Sequence, residues 1–277
     1  MFGVASAGGE NGSVLTFGEP GPIGGGHQGG EGCEEGQEYW VEGVLEELDA
    51  PNEFFHDAAG GVLYFYPNAS DASGPSGAPP QDLQVPYLHT FFSLLGSEED
   101  PVANVSWTGI TFTGGRPTFM EPRGQPSGGD WALERLGAIL LEGTVGASVS
   151  GCTFTRIDGN AVFLSGYNRY AAISQNEFVW LGQNAVAAWG RTDEWDGTGG
   201  QQPRHTLLHG NLAHEIGNYQ KQSSFYFQAA SCENTISNNI VFNIPRAAVN
   251  FEDGFGGGNE LVHNLLYNTC RESSDHG

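Results

Sequence analysis

Short apolar runs recur through the C-terminal two thirds of the chain at nearly constant spacing. Five segments share one arrangement: VSGCTF from Val149, ISQNEF from Ile173, LLHGNL from Leu207, ISNNIV from Ile236 and LVHNLL from Leu261. Each has an apolar residue, a small residue or Asn three places on, and another apolar residue five places on. A second register runs beside the first, in AVFLSG from Ala161, AVAAWG from Ala185, SFYFQA from Ser224 and AVNFED from Ala248. Val162 to Val186 is a step of 24 residues, and so is Tyr226 to Asn250.

Strands of three to five residues that return after one fixed interval describe one turn of a solenoid. Each turn buries its apolar side chains only by stacking on its neighbours. The 3.6-residue period of a helical repeat is absent. The pattern therefore predicts an all-β fold, a right-handed single-stranded parallel β-helix over residues 85–277, with coils stacked from about Val102. Asn176, Asn239 and Asn264 share one position of the repeat and are expected to form an internal ladder at a bend. Val149, Ile173, Leu207, Ile236 and Leu261 are expected in one internal column.

Two spacings are stretched, Ile173 to Leu207 and Ala187 to Tyr226. Both contain Arg191–Arg204 (RTDEWDGTGGQQPR), which is expected to leave the coil as a loop, as is the segment 115–131. Insertions of this kind wall binding surfaces. Upstream, residues 1–37 form a Gly- and Glu-rich lead-in expected to be partly disordered. Residues 38–84 form a short-strand segment followed by a Pro/Ser/Gly-rich linker.

Within the second register, alternation assigns Val162, Leu164, Val186, Ala188, Phe225, Phe227, Val249 and Phe251 to the interior. Two outward columns remain. One holds Glu142, Ser165, Trp189, Gln228 and Glu252; the other holds Phe163, Ala187, Tyr226 and Asn250, with Asp275 one coil further on. Aromatic faces, amides and acids are the groups a sugar-binding wall needs. Glu252 and Asp275, one coil apart and offset by two residues, fall roughly 8 Å apart from strand geometry. Glycosidases pair carboxylates at roughly 5–9.5 Å. Asp253 follows Glu252 and replaces it if the strand ends one residue early, although Asp253-Gly254 is also a turn dipeptide. The candidate catalytic acids are thus Glu252, Asp253 and Asp275. The candidate substrate-binding residues are Trp189, Tyr226, Gln228, Asn250, Arg271 and His276.

Charge narrows the chemistry. Ten Lys and Arg against 33 Asp and Glu leave −23, which repels nucleic acid and anionic membrane. Lys221 is the only lysine, which argues against a polyuronate substrate and so against a lyase or epimerase. No run of eighteen apolar residues appears, so no membrane span is expected. Cys33, Cys152, Cys232 and Cys270 are too few and too scattered for a disulfide scaffold. His205, His209 and His214 lack the spacing of a zinc site. No cofactor is expected; Asp193, Glu194 and Asp196 offer calcium ligands without a supporting motif. GFGGGN at 254–259 lacks the strand-to-helix context of a dinucleotide loop and reads as a bend. Asn11, Asn68 and Asn104 each begin an N-x-S/T sequon, which is compatible with an extracellular or cell-surface protein.

The segment FEDGFGGGNELVHNLLYNTCRESSDHG at 251–277, together with VLEELDAPNEFF and GGVLYFYP upstream, resembles right-handed β-helix, pectin-lyase-like proteins. The proteins in question are related to glycoside hydrolases acting on xylan and fucose-containing glycans. The resemblance spans most of residues 38–277. It implies a carbohydrate-active protein, glycoside hydrolase-like. With the charge balance, the expected partner is a neutral or mildly decorated polysaccharide or oligosaccharide, and a monomer is expected. Relatives of this kind continue past the SSDHG stretch, which implies a solenoid cut short at that end. The rival reading is a non-catalytic glycan-binding or cell-surface module that keeps the wall without the reaction.

Overall fold

The computed structural model describes residues 4–8, 14–17, 41–68, 83–126, 133–252 and 255–272. The chain divides into two compact units, Cys33–Val85 and a second made of Met1–Gly32 with Pro86–Gly277. In the smaller unit, Phe54–Asp57 and Val62–Phe65 form an antiparallel hairpin. The Asp57 carboxylate accepts from the Gly60 N–H in its turn, at 2.9 Å.

The larger unit carries a hairpin of Val4–Gly8 with Val14–Phe17, and a parallel β-helix. Three sheets make the solenoid. The first contains Phe92–Leu95, Ile139–Val145, Val162–Arg169, Val186–Trp189, Tyr226–Ala229 and Val249–Phe251. The second contains Ser106–Thr108, Ser148–Ser150, Ala172–Ser174, Leu207–His209, Thr235–Ser237 and Glu260–Val262. The third contains Thr111–Gly115, Thr153–Ile157, Glu177–Leu181, Leu212–His214, Ile240–Phe242 and Leu265–Tyr267. The chain visits the sheets in that order, so each circuit adds one strand to every sheet.

Stacking like on like fills the interior. Phe112, Phe154 and Phe178 lie on consecutive strands of the third sheet with ring centroids 4.6 and 5.0 Å apart, nearly parallel. Each buried ring of this kind contributes about 1.5–3 kcal/mol of transfer free energy. The bend between the second and third sheets requires a left-handed residue in every coil. Gly109, Gly151, Gln175, Gly210, Asn238 and His263 all take positive φ there. Three of the six are Gly, which adopts that conformation without a Cβ clash.

The next position carries the ladder. Cys152 N–H donates to Asn176 Oδ1 at 2.9 Å, Asn176 to Asn211 at 3.0 Å, Asn211 to Asn239 at 2.9 Å and Asn239 to Asn264 at 3.0 Å. Asn211 is a rung the expected ladder lacked, because LLHGNL enters the coil one residue later than its spacing suggests. Leu208, not Leu207, pairs with Ile173 and Ile236; Leu207 points outward and is 38% exposed.

The loop boundaries also move. Gly115 belongs to the strand Thr111–Gly115, and Pro203–Arg204 pairs with Asn168–Arg169 along the first sheet. Between them, 116–126 and 191–202 carry no strand, apart from the isolated bridges Gly124 to Leu133 and Asp193 to Asp196.

Candidate functional site

The outward face of the first sheet is where the register matters. Strand pairing aligns Leu140, Phe163, Ala187, Phe227 and Asn250 in one outward column, and Glu142, Ser165, Trp189 and Ala229 in the other. Glu252 N–H donates to Gln228 O at 2.8 Å and carries the second column one coil further. Two expected members therefore face the other way. Tyr226 is 0% exposed and lies in the solenoid core, stacked in register with Val186 and Val249. Gln228 is 4% exposed and also points inward. Phe227, expected inside, points outward instead.

The inward amide is fully engaged. Tyr226 donates to Gln228 Oε1 at 3.2 Å, Asn234 Nδ2 donates to the same oxygen at 3.1 Å, and Gln228 Nε2 donates to Ser231 O at 2.6 Å. Burial pushes the Tyr226 hydroxyl pKa well upward. These residues hold a corner of the coil and are out of reach of a substrate.

Much of the expected wall is covered. Leu133, from the segment that follows the first insertion, packs on Phe163, Ala187, Phe227 and Ala229, with Leu140 and Trp189 at the edge. Polar groups pin that covering. Arg123 meets Glu134 at 2.8 Å with both side chains almost wholly out of solvent, and Thr118 donates to the other Glu134 oxygen at 2.6 Å. Burial drives the Glu134 pKa up, against the opposing pull of Arg123 and of the Thr118 hydrogen bond.

Trp189 is half-buried rather than an open platform. The Arg135 guanidinium lies 3.8 Å from its ring centroid, while that same group donates to Trp189 O and Gly190 O at 2.7 Å. Beside it, Arg191 pairs with Glu142 at 2.8 Å. Burial pulls the Glu142 pKa up, but the hydrogen bonds from Arg191 and Ser165 and the charges of Arg191 and Arg135 outweigh it and leave it lowered. Burial likewise lowers the Arg135 pKa to about 10, with Arg191 adding to the effect.

The remaining candidates are spread out. Asn250 and Glu252 are half-buried on the outward positions and border a hollow of about 610 Å³ that Arg246, Phe251, Leu261 and Leu266 also line. Arg271 is exposed and pairs with Glu215 at 3.4 Å, on the side where the third sheet ends. Asp253, Asp275 and His276 lie outside the described residues. Among the described residues, no three His, Cys, Asp or Glu side chains converge as metal ligands.

Sequence reasoning missed one feature. The second insertion and residues 255–256 enclose a groove of about 380 Å³, lined by Trp195, Asp196, Thr198, Gln202, Arg204, Cys232 and Phe255 among others. Trp195 is 73% exposed. Asp196 holds its own loop, accepting from Thr198 N–H at 2.8 Å and Thr198 Oγ1 at 2.6 Å, which lowers its pKa. Gln202 donates to Gly197 O and braces the opposite side of the loop. Gly256 sits against the Ser231 carbonyl so closely that a Cβ there would lie 2.3 Å from it. The Trp in RTDEWDG was the available signal, an apolar residue inside an otherwise polar insertion.

No family model and no curated protein matches the chain. Among solved structures, the chain is similar to one described as a glycoside hydrolase, at 13% sequence identity with a TM-score of 0.37. The match covers 83% of this chain, which spans 58% of the length of that one.

Proposed function

We propose that this is a carbohydrate-active β-helix protein that takes a polysaccharide or oligosaccharide segment in the groove between residues 195–202 and 255–256. The observation that supports this reading is the groove itself. It offers an exposed indole and a phenyl ring beside Thr, Gln and Arg donors at the edge of the solenoid. Sugar rings have apolar faces and hydroxyl rims, and concave sites with aromatic lining and few convergent polar groups are where such ligands bind.

Glu252 ends the outward column three residues before Phe255. In this reading Glu252, or Asp253 in its place, supplies one acid of a glycoside hydrolase-like reaction, with Asp275 as the partner carboxylate. One acid protonates the leaving oxygen and the other acts as nucleophile or base. The test is reducing-end release from xylan and fucan, with kcat and Tm measured separately for Glu252→Gln, Asp253→Asn and Asp275→Asn. Loss of about 10²–10⁴-fold in kcat at unchanged Tm supports the reaction. Full activity in all three variants overturns it.

The inward burial of Tyr226 and Gln228 favours a second reading. It removes two of the expected polymer contacts from the wall, which fits a module that binds a glycan end or branch without cleaving it. Binding without product release from any substrate supports that reading.

A further inference from the structure

The groove contains an unbalanced cation in a strongly acidic chain. Arg204 lines it, and among the described residues its side chain makes one hydrogen bond, from Nη2 to Gln202 Oε1 at 3.2 Å. Its Nε–H is shut off from solvent without an acceptor, and among the described residues no carboxylate forms an ion pair with it. The acids close by are engaged elsewhere: Asp196 holds Thr198, and Glu233 faces His205 at 3.4 Å. Arg169 adds a second positive charge on the same side. Its donors are spent on the carbonyls of Asn168, Gln202 and Gly200, which fix the loop but do not neutralise the charge. The Cys232 thiol on the groove wall feels the positive charge of Arg204, the negative charge of Glu233 and, less, the positive charge of Arg169, so Arg204 is the leading charge at that point of the wall. A half-buried guanidinium with unused N–H groups is a fork for a planar carboxylate.

On the saccharide reading above, we infer that the groove binds a sugar unit that carries a single carboxylate, a uronic acid branch on an otherwise neutral chain, with Arg204 as its ion-pair partner and Trp195 as its stacking surface. The net charge of −23 limits the count. A polyuronate would place several negative charges along an acidic surface and be repelled, whereas one carboxylate seated on Arg204 meets only the nearby charges of Asp196 and Glu233.

Calorimetric titration with xylotetraose, the same tetramer bearing one glucuronic acid branch, and tetragalacturonate tests this. The branched tetramer is expected to bind at least about tenfold more tightly than the plain one, and tetragalacturonate more weakly than the branched tetramer. Arg204→Gln is expected to bring the affinity ratio of the branched to the plain tetramer, measured within the same variant, down to about one. Arg204→Lys, which keeps the charge, is expected to retain part of the preference; Tm of both variants shows that the solenoid stays folded. Equal binding of plain and branched tetramers overturns the carboxylate inference while the saccharide reading stands. Tighter binding of tetragalacturonate also overturns it. Absence of binding by all three overturns both.

Discussion

Glu134 is 0% exposed, and its carboxylate lies 2.8 Å from the Arg123 guanidinium, within the segment whose Leu133 covers the outward face of the first sheet. Two charges out of water stabilise each other only while both are present. Removing one leaves the other buried and uncompensated. Glu134→Gln or Arg123→Met is therefore expected to cost about 3–5 kcal/mol in urea unfolding, and the double variant less than the sum. Additive losses would show that the pair is not coupled.

Glu142 sets a pH dependence on the same face. Burial works against its ionised form, but hydrogen bonds from Arg191 and Ser165 and the two nearby guanidiniums leave its folded-state pKa below the ordinary 4.5. Its ionised form is thus favoured by folding. The contribution is fully present above pH 4.5 and is lost as pH falls through the lowered folded value. The Tm difference between the wild type and Glu142→Gln is expected to be constant at neutral pH and to shrink below about pH 4.5. A difference that grows on acidification would reverse the assignment.

The Asn ladder is not uniform along its length. Asn211 is buried, accepts from the Asn176 backbone and side-chain N–H groups at 3.0 and 3.1 Å, and donates to Ile173 O and Asn239 Oδ1. Asn264 is half-buried at the last described rung. Asn211→Ala strands buried groups on both sides and is expected to cost about 1–3 kcal/mol, more than Asn264→Ala. Equilibrium unfolding of both variants checks the order.

Trp195 tests the groove without touching the core. It is so exposed that Trp195→Ala is expected to change stability by less than about 0.5 kcal/mol. Loss of ring stacking is expected to weaken oligosaccharide binding about two- to tenfold. Unchanged affinity at unchanged Tm would remove the indole from the site.

The solenoid and its ladder were legible in the sequence because a coil repeats its chemistry each time the chain comes round. One-sided alternation located most interior residues, and Asn at a fixed place marked the bend. Legibility failed at Phe225-Tyr226-Phe227, where apolar side chains run without a break. Such a run carries no phase when both faces of a strand are buried, and here they are, the inner face by the core and the outer by Leu133 and its neighbours. Only the packing of a segment some ninety residues upstream decides which of these rings points outward, and with it that Tyr226 and Gln228 leave the wall. The same holds for the groove. Trp195, Arg204, Cys232 and Phe255 come from three separate stretches of the chain, and the return of Pro203–Arg204 to the first sheet helps bring them together. Strand periodicity encodes the stacking direction of a solenoid, but a loop's position on its surface comes from contacts that have no period.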